Sequence, residues 1–305
     1  MEKLTLNDLA ATMGATPEEL KPHYNAAHDF SFTNLEGKER DNVLLSVIKK
    51  ADSQELTVSG PEKKAQWEKG WNENLEKLRA SDGDLSALVP KYIRPGAILR
   101  LNGGYIRPSD DRFELNYFSM LRDYLCARYL KNSDSIYEFG CGPGLNLVAM
   151  AQQYPQKDLH GLDWVSAPKQ ILEFLQKRYH FRVQGHIFDM FSPDKSVALG
   201  PKSGVLSIGS LEQLGMNFKA FLSYLLEQKP GIVVNVNHFT ELYDPDVLLD
   251  YLAIKFERRR NYLYGFIPEL QRLEKEKKIE IIKLHRAHFG SLFHDGYSYV
   301  VWRPL

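Results

Sequence analysis

Ser135-Ile136-Tyr137-Glu138-Phe139-Gly140-Cys141-Gly142-Pro143-Gly144 is an apolar run that breaks into three alternating glycines and restarts as a helix at Leu145. Glycines at this spacing let the backbone turn tightly and let a ligand lie against the bare amides of a helix N-terminus. Doubly wound α/β folds hold nucleoside-containing ligands in this way. The third glycine follows the second by two residues, whereas the pyrophosphate-binding pattern G-x-G-x-x-G needs three. The loop therefore argues against a dinucleotide.

The segments that follow extend the pattern. Leu159-His160-Gly161-Leu162-Asp163 reads as the next strand and ends in a carboxylate suited to a pair of ribose hydroxyls. A helix from Pro168 to Arg178 leads to a third strand, Val183 to Phe188, followed by Asp189. With acids at three successive strand ends, the chain resembles the class I S-adenosylmethionine-dependent methyltransferases of small-molecule type. Their first motif is an acidic residue followed by G-x-G-x-G. The resemblance implies S-adenosyl-L-methionine as cofactor, with Glu138, Gly140, Cys141 and Gly142 facing its methionine part, Asp163 its ribose and Asp189 its adenine. Gly144, Trp164, Met190 and Ser210 complete the implied set. It also implies an α/β fold with a seven-stranded Rossmann-like sheet whose last strand is antiparallel.

The remaining elements fit that sheet. Gly204 to Ile208 and Gly231 to Asn237 read as strands four and five, with a helix from about Phe218 to Gln228 between them. Two helices occupy Asp244 to Lys278, and Ile279 to His285 and Tyr297 to Trp302 read as a closing hairpin. A helix from about Arg112 to Leu130 precedes the first strand, with Phe113, Tyr117, Leu121, Leu125 and Tyr129 on one face. Residues 1–95 read as a mostly helical, polar domain, expected to be a lid or a homodimer contact. Residues 96–305 read as the cofactor-binding domain, with a helical insertion at 240–278. Since no glycine or acid motif lies in the first segment, removing residues 1–90 is expected to leave the cofactor site foldable but open.

Composition narrows the function. The 305 residues carry 39 Lys+Arg and 39 Asp+Glu, so no net field draws the chain to nucleic acid. Two cysteines are too few for a disulfide framework, and no apolar run is long enough to span a bilayer. The expectation is a cytoplasmic protein with a small-molecule partner and neither a nucleic-acid nor a membrane partner.

Candidate chemistry gathers at the strand ends. Glu212, after strand four, either accepts from a substrate amine or hydroxyl or caps the next helix. His238, after strand five, offers a base, with Glu241 as its expected orienting partner. His294 is a second candidate base on the same side. His285, His288 and His294 raise the question of a metal. An odd spacing places His285 and His288 on opposite faces of a regular strand, so no metal is expected. Tyr105, Arg107, Tyr117, His288 and Tyr262 are candidate substrate contacts. Arg94, Arg100 and Arg107 either clamp an anionic group or pair with nearby acids such as Asp110, Asp111 or Glu114. A histidine base suits a hydroxyl nucleophile, so the expected reaction is O-methylation of a small polar metabolite, a sugar or a carboxylate-bearing compound; the alternatives are N- or C-methylation of a small molecule, methylation of a protein, and a non-catalytic cofactor-binding regulatory role.

Overall fold

The computed structural model describes residues 1–305. Its strands are β1 (Glu2–Lys3), β2 (Ser31–Asn34), β3 (Leu99–Leu101), β4 (Gly104–Pro108), β5 (Ser135–Phe139), β6 (Asp158–Asp163), β7 (Val183–Ile187), β8 (Ser203–Ile208), β9 (Ile232–Asn237), β10 (Ile279–His285), β11 (Phe289–Gly290) and β12 (Ser298–Pro304). The helices are α1 (Leu6–Met13), α2 (Pro17–Leu20), α3 (Gly37–Asp52), α4 (Lys64–Ala80), α5 (Phe113–Leu125), α6 (Leu145–Gln153), α7 (Ser166–Tyr179), α8 (Lys219–Gln228), α9 (Leu248–Arg259) and α10 (Phe266–Lys275).

Seven strands form the main sheet in the order β10-β12-β9-β8-β5-β6-β7. β5 pairs parallel with β6 and β8, as do β6 with β7 and β8 with β9, while β12 runs antiparallel to both β9 and β10. Because both faces are covered by helices, adjacent residues of one strand enter different cores. Leu206, Val234 and Val301 pack beneath α5, α6 and α7, whereas their neighbours Val205, Val233 and Trp302 pack against α8 and α10. This two-sided burial explains why the strands read as continuous apolar runs.

The N-terminal segment is mostly helical, as expected, but it is not a separate helical body. β1 and β2 join β4, β3 and β11 in a second, five-stranded sheet. The β3–β4 hairpin closes through Asn102 and Gly103, both at positive φ (48° and 78°), the geometry of a tight Asn-Gly turn. Arg100, Tyr105 and Arg107, read from the sequence as candidate ligand contacts, lie on this hairpin. Leu4, Leu9, Met13, Phe30 and Phe32 share one core with Phe113, Tyr117 and Tyr299 of the larger sheet's side.

Arg100 settles in a way that neither sequence reading foresaw. It is 1% exposed and pairs with Asp250 (3.1 Å) and Asp295 (3.3 Å), acids 150 and 195 residues away, not with Asp110, Asp111 or Glu114. Arg286 bridges the same two carboxylates at 2.6 and 2.8 Å. The four charges tie the second sheet to α9 and to the loop before β12. No helix is long and apolar enough to cross a membrane.

Candidate active site

The glycine loop after β5 adopts left-handed backbone at Gly140 (φ 71°), Gly142 (φ 50°) and Gly144 (φ 82°). A Cβ on Gly140 would lie 2.3 Å from that of Ser210, so only glycine allows the loop to approach the end of β8. The Ser210 hydroxyl donates to the Phe139 carbonyl at 2.8 Å and fixes that approach. Asp163 folds back over the loop, accepting from the amides of Gly142 (3.1 Å) and Val165 (3.3 Å). Burial outweighs those amides and raises its pKa to about 7.

An open cleft of about 810 Å³ lies above this loop, at the carboxyl ends of β5, β6 and β8. Every residue of the implied cofactor set lines it except Gly144. Gly144 lies behind the loop, where a Cβ would press to 2.8 Å on Leu172. Glu138 is 1% exposed; its Oε1 accepts from Asn146 at 2.6 Å, and its Oε2 is buried with no partner. Burial lifts its pKa to about 8. Asp189 holds its own turn by accepting from the Phe191 amide at 2.8 Å, and Trp164 lies against Phe191.

Sequence reasoning missed the contribution of the N-terminal segment to this cleft. Trp67, Trp71, Pro90 and Tyr92 complete its wall. The Trp71 ring lies over Gly142, where a Cβ would meet it at 3.0 Å. Glu68, on the same helix, accepts from the Ser166 amide (2.6 Å) and hydroxyl (2.7 Å) and so caps α7. The available signal was the pair Trp67 and Trp71 at i, i+4 in an otherwise polar helix.

Next to the cleft lies a second polar group. His238 and His294, read separately as candidate bases, lie together with their rings stacked at 4.2 Å and 17°. The carboxylate between them is Glu257, whose Oε1 lies 3.2 Å from His238 Nδ1 and 3.4 Å from His294 Nδ1. Glu241, the expected partner, instead accepts from the Gly265 amide and caps α10. Thr240 and Tyr243 hydroxyls donate to Glu257 at 2.6 and 3.0 Å, and the two imidazoles hold its pKa far below the carboxylate range despite burial. Burial opposes protonation of His238, but Glu257 and Glu212 overcome it and raise its pKa. Burial, reinforced by His238, lowers that of His294 to about 4. Both Nδ1 atoms are sealed from solvent, whereas neither Nε2 is.

His238, Glu257 and His294 present donor atoms within 4.8 Å of one another, the spacing of a metal centre. Stacked rings point their lone pairs side by side, however, and Glu257 already receives two hydroxyl donors. The arrangement suits proton exchange better than coordination. His285 and His288 stay apart from it. His285 lies against the Thr12 carbonyl (2.9 Å), and His288 sits at a positive-φ position (49°) beside Arg286 and Asp295.

The other substrate candidates divide. Tyr262 stacks on His238 at 4.7 Å, and Tyr117 is buried against Phe289. Tyr105 is buried among Leu35, Val43 and Leu249, away from the cleft, because its position in β4 faces that core. Arg107 is exposed and pairs with Glu39. None of the five candidates lines the cleft; Tyr262 lies beside it only through His238.

No family model matches the sequence, and no curated protein does. Solved structures do match. The [4+2]-cyclase SpnF superposes with a TM-score of 0.50 at 11% identity, over 78% of this chain and 95% of that one. The fold is the Rossmann-like methyltransferase fold. A geranyl diphosphate C-methyltransferase from Streptomyces coelicolor A3(2), crystallised with Mg2+, geranyl-S-thiolodiphosphate and S-adenosyl-L-homocysteine, superposes at 0.48 with 11% identity, over 79% and 98% of the two chains. The plantazolicin methyltransferase BpumL, in complex with SAH, gives 0.40 at 14% identity over 60% and 80%. Since this fold also serves a protein described as a cyclase, the chemistry of this chain is argued from its own site.

Proposed function

We propose that the protein is an S-adenosylmethionine-dependent methyltransferase acting on a small polar molecule, with oxygen as the favoured acceptor atom. The observation that carries the reading is one cleft lined by Glu138, Gly140, Gly142, Asp163 and Asp189, with an unpartnered Glu138 oxygen at its floor. The residues fit the cofactor. Glu138 supplies a free acceptor for the amino acid part, Asp163 two oxygens for the ribose diol, and Asp189 a carboxylate for the adenine edge.

When bound there, S-adenosylmethionine supplies a methyl group already activated by the sulfonium. The protein then has to bring the nucleophile in line and exclude water, effects that account for about 7–11 kcal/mol of a barrier. Trp67, Trp71 and Tyr92 close the cleft from above. The His238–His294 pair takes the acceptor's hydroxyl proton through an open Nε2, and Glu257 at the opposite nitrogens stabilises the resulting cation. The acceptor enters from the side of Tyr92 and Glu212, between the cleft and the imidazoles.

Calorimetry with S-adenosylmethionine and its demethylated product tests the cofactor. Low-micromolar binding, about −8 kcal/mol, is expected. Binding of NAD in place of either nucleoside would overturn the reading. Incubation with labelled cofactor and a library of small alcohols and amines, read by mass, identifies the acceptor.

A further inference from the structure

The order of strands in the main sheet leaves one place for the acceptor. Acids suited to the cofactor stand at the end of β5 (Glu138), at the end of β6 (Asp163) and just past β7 (Asp189), while His238 of the imidazole pair follows β9. In the order β9-β8-β5-β6-β7, the carboxyl end lying between cofactor and base is that of β8. There Ile208, Gly209, Ser210, Gln213 and Leu214 line the cleft. Gly209, at φ 60°, is bare: a Cβ on it would meet nothing within 4 Å, whereas one on Gly140 or Gly142 would meet Ser210 or Trp71 at 2.3 or 3.0 Å. A flat group can therefore lie directly on the backbone at this point and at no other glycine of the cleft floor.

The surroundings of Gly209 are apolar and carry no charge for a ligand. Phe118 adds a ring to the wall, and its contact with Tyr297 at 6.0 Å puts it on the β9 side, because Tyr297 directly precedes the Ser298–Asn237 pair that joins β12 to β9. Tyr92, half exposed, gives a second ring at the mouth. The Ser210 hydroxyl is committed to the Phe139 carbonyl, and the Gln213 amide reaches Glu212 at 3.5 Å. No lysine, arginine or histidine lines the cleft, and its three carboxylates are those at the ends of β5, β6 and β7. A carboxylate, phosphate or ammonium over Gly209 would lose water and gain no ionic partner, whereas an aromatic ring would gain apolar and ring–ring contact. A phenolic hydroxyl, with a pKa of about 10, also gives up its proton to imidazole far more readily than a saturated alcohol does.

We infer that the methyl acceptor is an uncharged hydroxylated aromatic compound, its ring seated over Gly209 against Phe118 and Leu214 and its hydroxyl turned toward the imidazole pair. The phenolic oxygen forms its bond to the methyl carbon as that carbon's bond to sulfur breaks; the hydroxyl proton goes to the imidazoles and the sulfur leaves as a neutral thioether. The inference rests on the methyltransferase reading and narrows its acceptor to one whose polar group is the hydroxyl alone.

The test uses the full chain saturated with S-adenosylhomocysteine and titrated by calorimetry with phenol and catechol, with cyclohexanol as the saturated counterpart, and with 4-hydroxybenzoate and tyramine as the charged ones. The phenols should bind at least about threefold more tightly than cyclohexanol and about tenfold more tightly than either charged compound. Gly209→Asn fills the open space with a residue that tolerates left-handed backbone, and it should abolish phenol binding while S-adenosylhomocysteine affinity stays at the parent value. Phe118→Leu should reduce the advantage of phenol over cyclohexanol. Melting curves check that both variants fold, and the ligand series on the unaltered chain decides the matter if one does not. Equal or tighter binding of 4-hydroxybenzoate, tyramine or cyclohexanol to the loaded protein overturns the inference and leaves the methyltransferase reading standing. So does phenol binding that survives Gly209→Asn, or that S-adenosylhomocysteine displaces. Failure of S-adenosylhomocysteine itself to bind overturns the reading on which the inference rests.

Discussion

At the scale of single residues, Glu257 takes the orienting role that the sequence suggested for Glu241. Glu257 holds two imidazole nitrogens, while Glu241 caps a helix. Glu257→Gln keeps the length and the hydroxyl contacts but removes the charge that raises the His238 pKa. A histidine pair without that charge deprotonates at lower pH, so the acidic limb of the pH–rate profile should shift to lower pH as turnover falls. Glu241→Gln should leave the limb in place, and steady-state rates across pH separate the two. His238→Gln should cost about 10²–10⁴ in turnover. Glu138, Asp163 and Asp189 were legible as cleft residues because each stands at the carboxyl end of an apolar strand. Glu257 was not, because its meaning depends on which face of α9 turns inward. It stands seven residues after Asp250, the other acid buried on that helix, and beside Phe256. A carboxylate on the apolar stripe was the only signal, and Arg258, Arg259 and Arg260 follow it directly, as they would on a helix face turned to solvent.

At the scale of elements, the strands of the main sheet were readable and those of the second sheet were not. A strand buried on both faces must be apolar throughout, so β5, β8 and β9 announce themselves. β1 and β11 have two residues each, too short for any period, and only the Asn102-Gly103 dipeptide marked a hairpin. The consequence reaches the cleft, because α4 is packed over the glycine loop and caps α7. Trp71→Ala should leave the melting temperature near that of the parent but weaken cofactor binding about 5–30-fold, through lost apolar contact of roughly 1–2 kcal/mol. Removal of residues 1–90, expected from the sequence to leave a folded site, should instead expose the shared core around Phe113 and Tyr299 and yield an aggregating fragment. Calorimetry on the first protein and gel filtration of the second check both statements.

At the scale of the whole molecule, buried charge governs how the parts hold together. Arg100 neutralises two acids in a site closed to water, so Arg100→Met leaves Asp250 and Asp295 with Arg286 alone. Breaking one partner from such a network costs about 3–5 kcal/mol. Chemical denaturation should report a loss of that size, and a change below 1 kcal/mol would mean that the network is not cooperative.

Three buried acids, of which Glu138 and Asp163 line the cleft, work in the opposite direction. Glu138, Glu114 and Asp163 have folded pKa values raised to about 8, 7 and 7, from 4.5, 4.5 and 3.8. An acid whose folded pKa is raised binds more protons in the native state than when unfolded, so stability falls as pH rises from the unfolded value toward the folded one. His238, with a raised pKa, loses its favourable contribution over the upper part of the same range. Below about pH 6.5 the neutral histidines His160 and His294, both lowered to about 4, pull the other way, because unfolding lets them take up protons. The clean window is therefore pH 6.5 to 8. The ligand-free protein should lose thermal stability steadily across it. A cationic cofactor favours the ionised acids, so the stabilisation it confers should grow over the same interval, with protons released on binding. Scanning fluorimetry with and without S-adenosylmethionine, and calorimetry in buffers of different ionisation enthalpy, measure both effects. A ligand-free melting temperature that rises from pH 6.5 to 8 would show that these carboxyls are already ionised in the ligand-free protein.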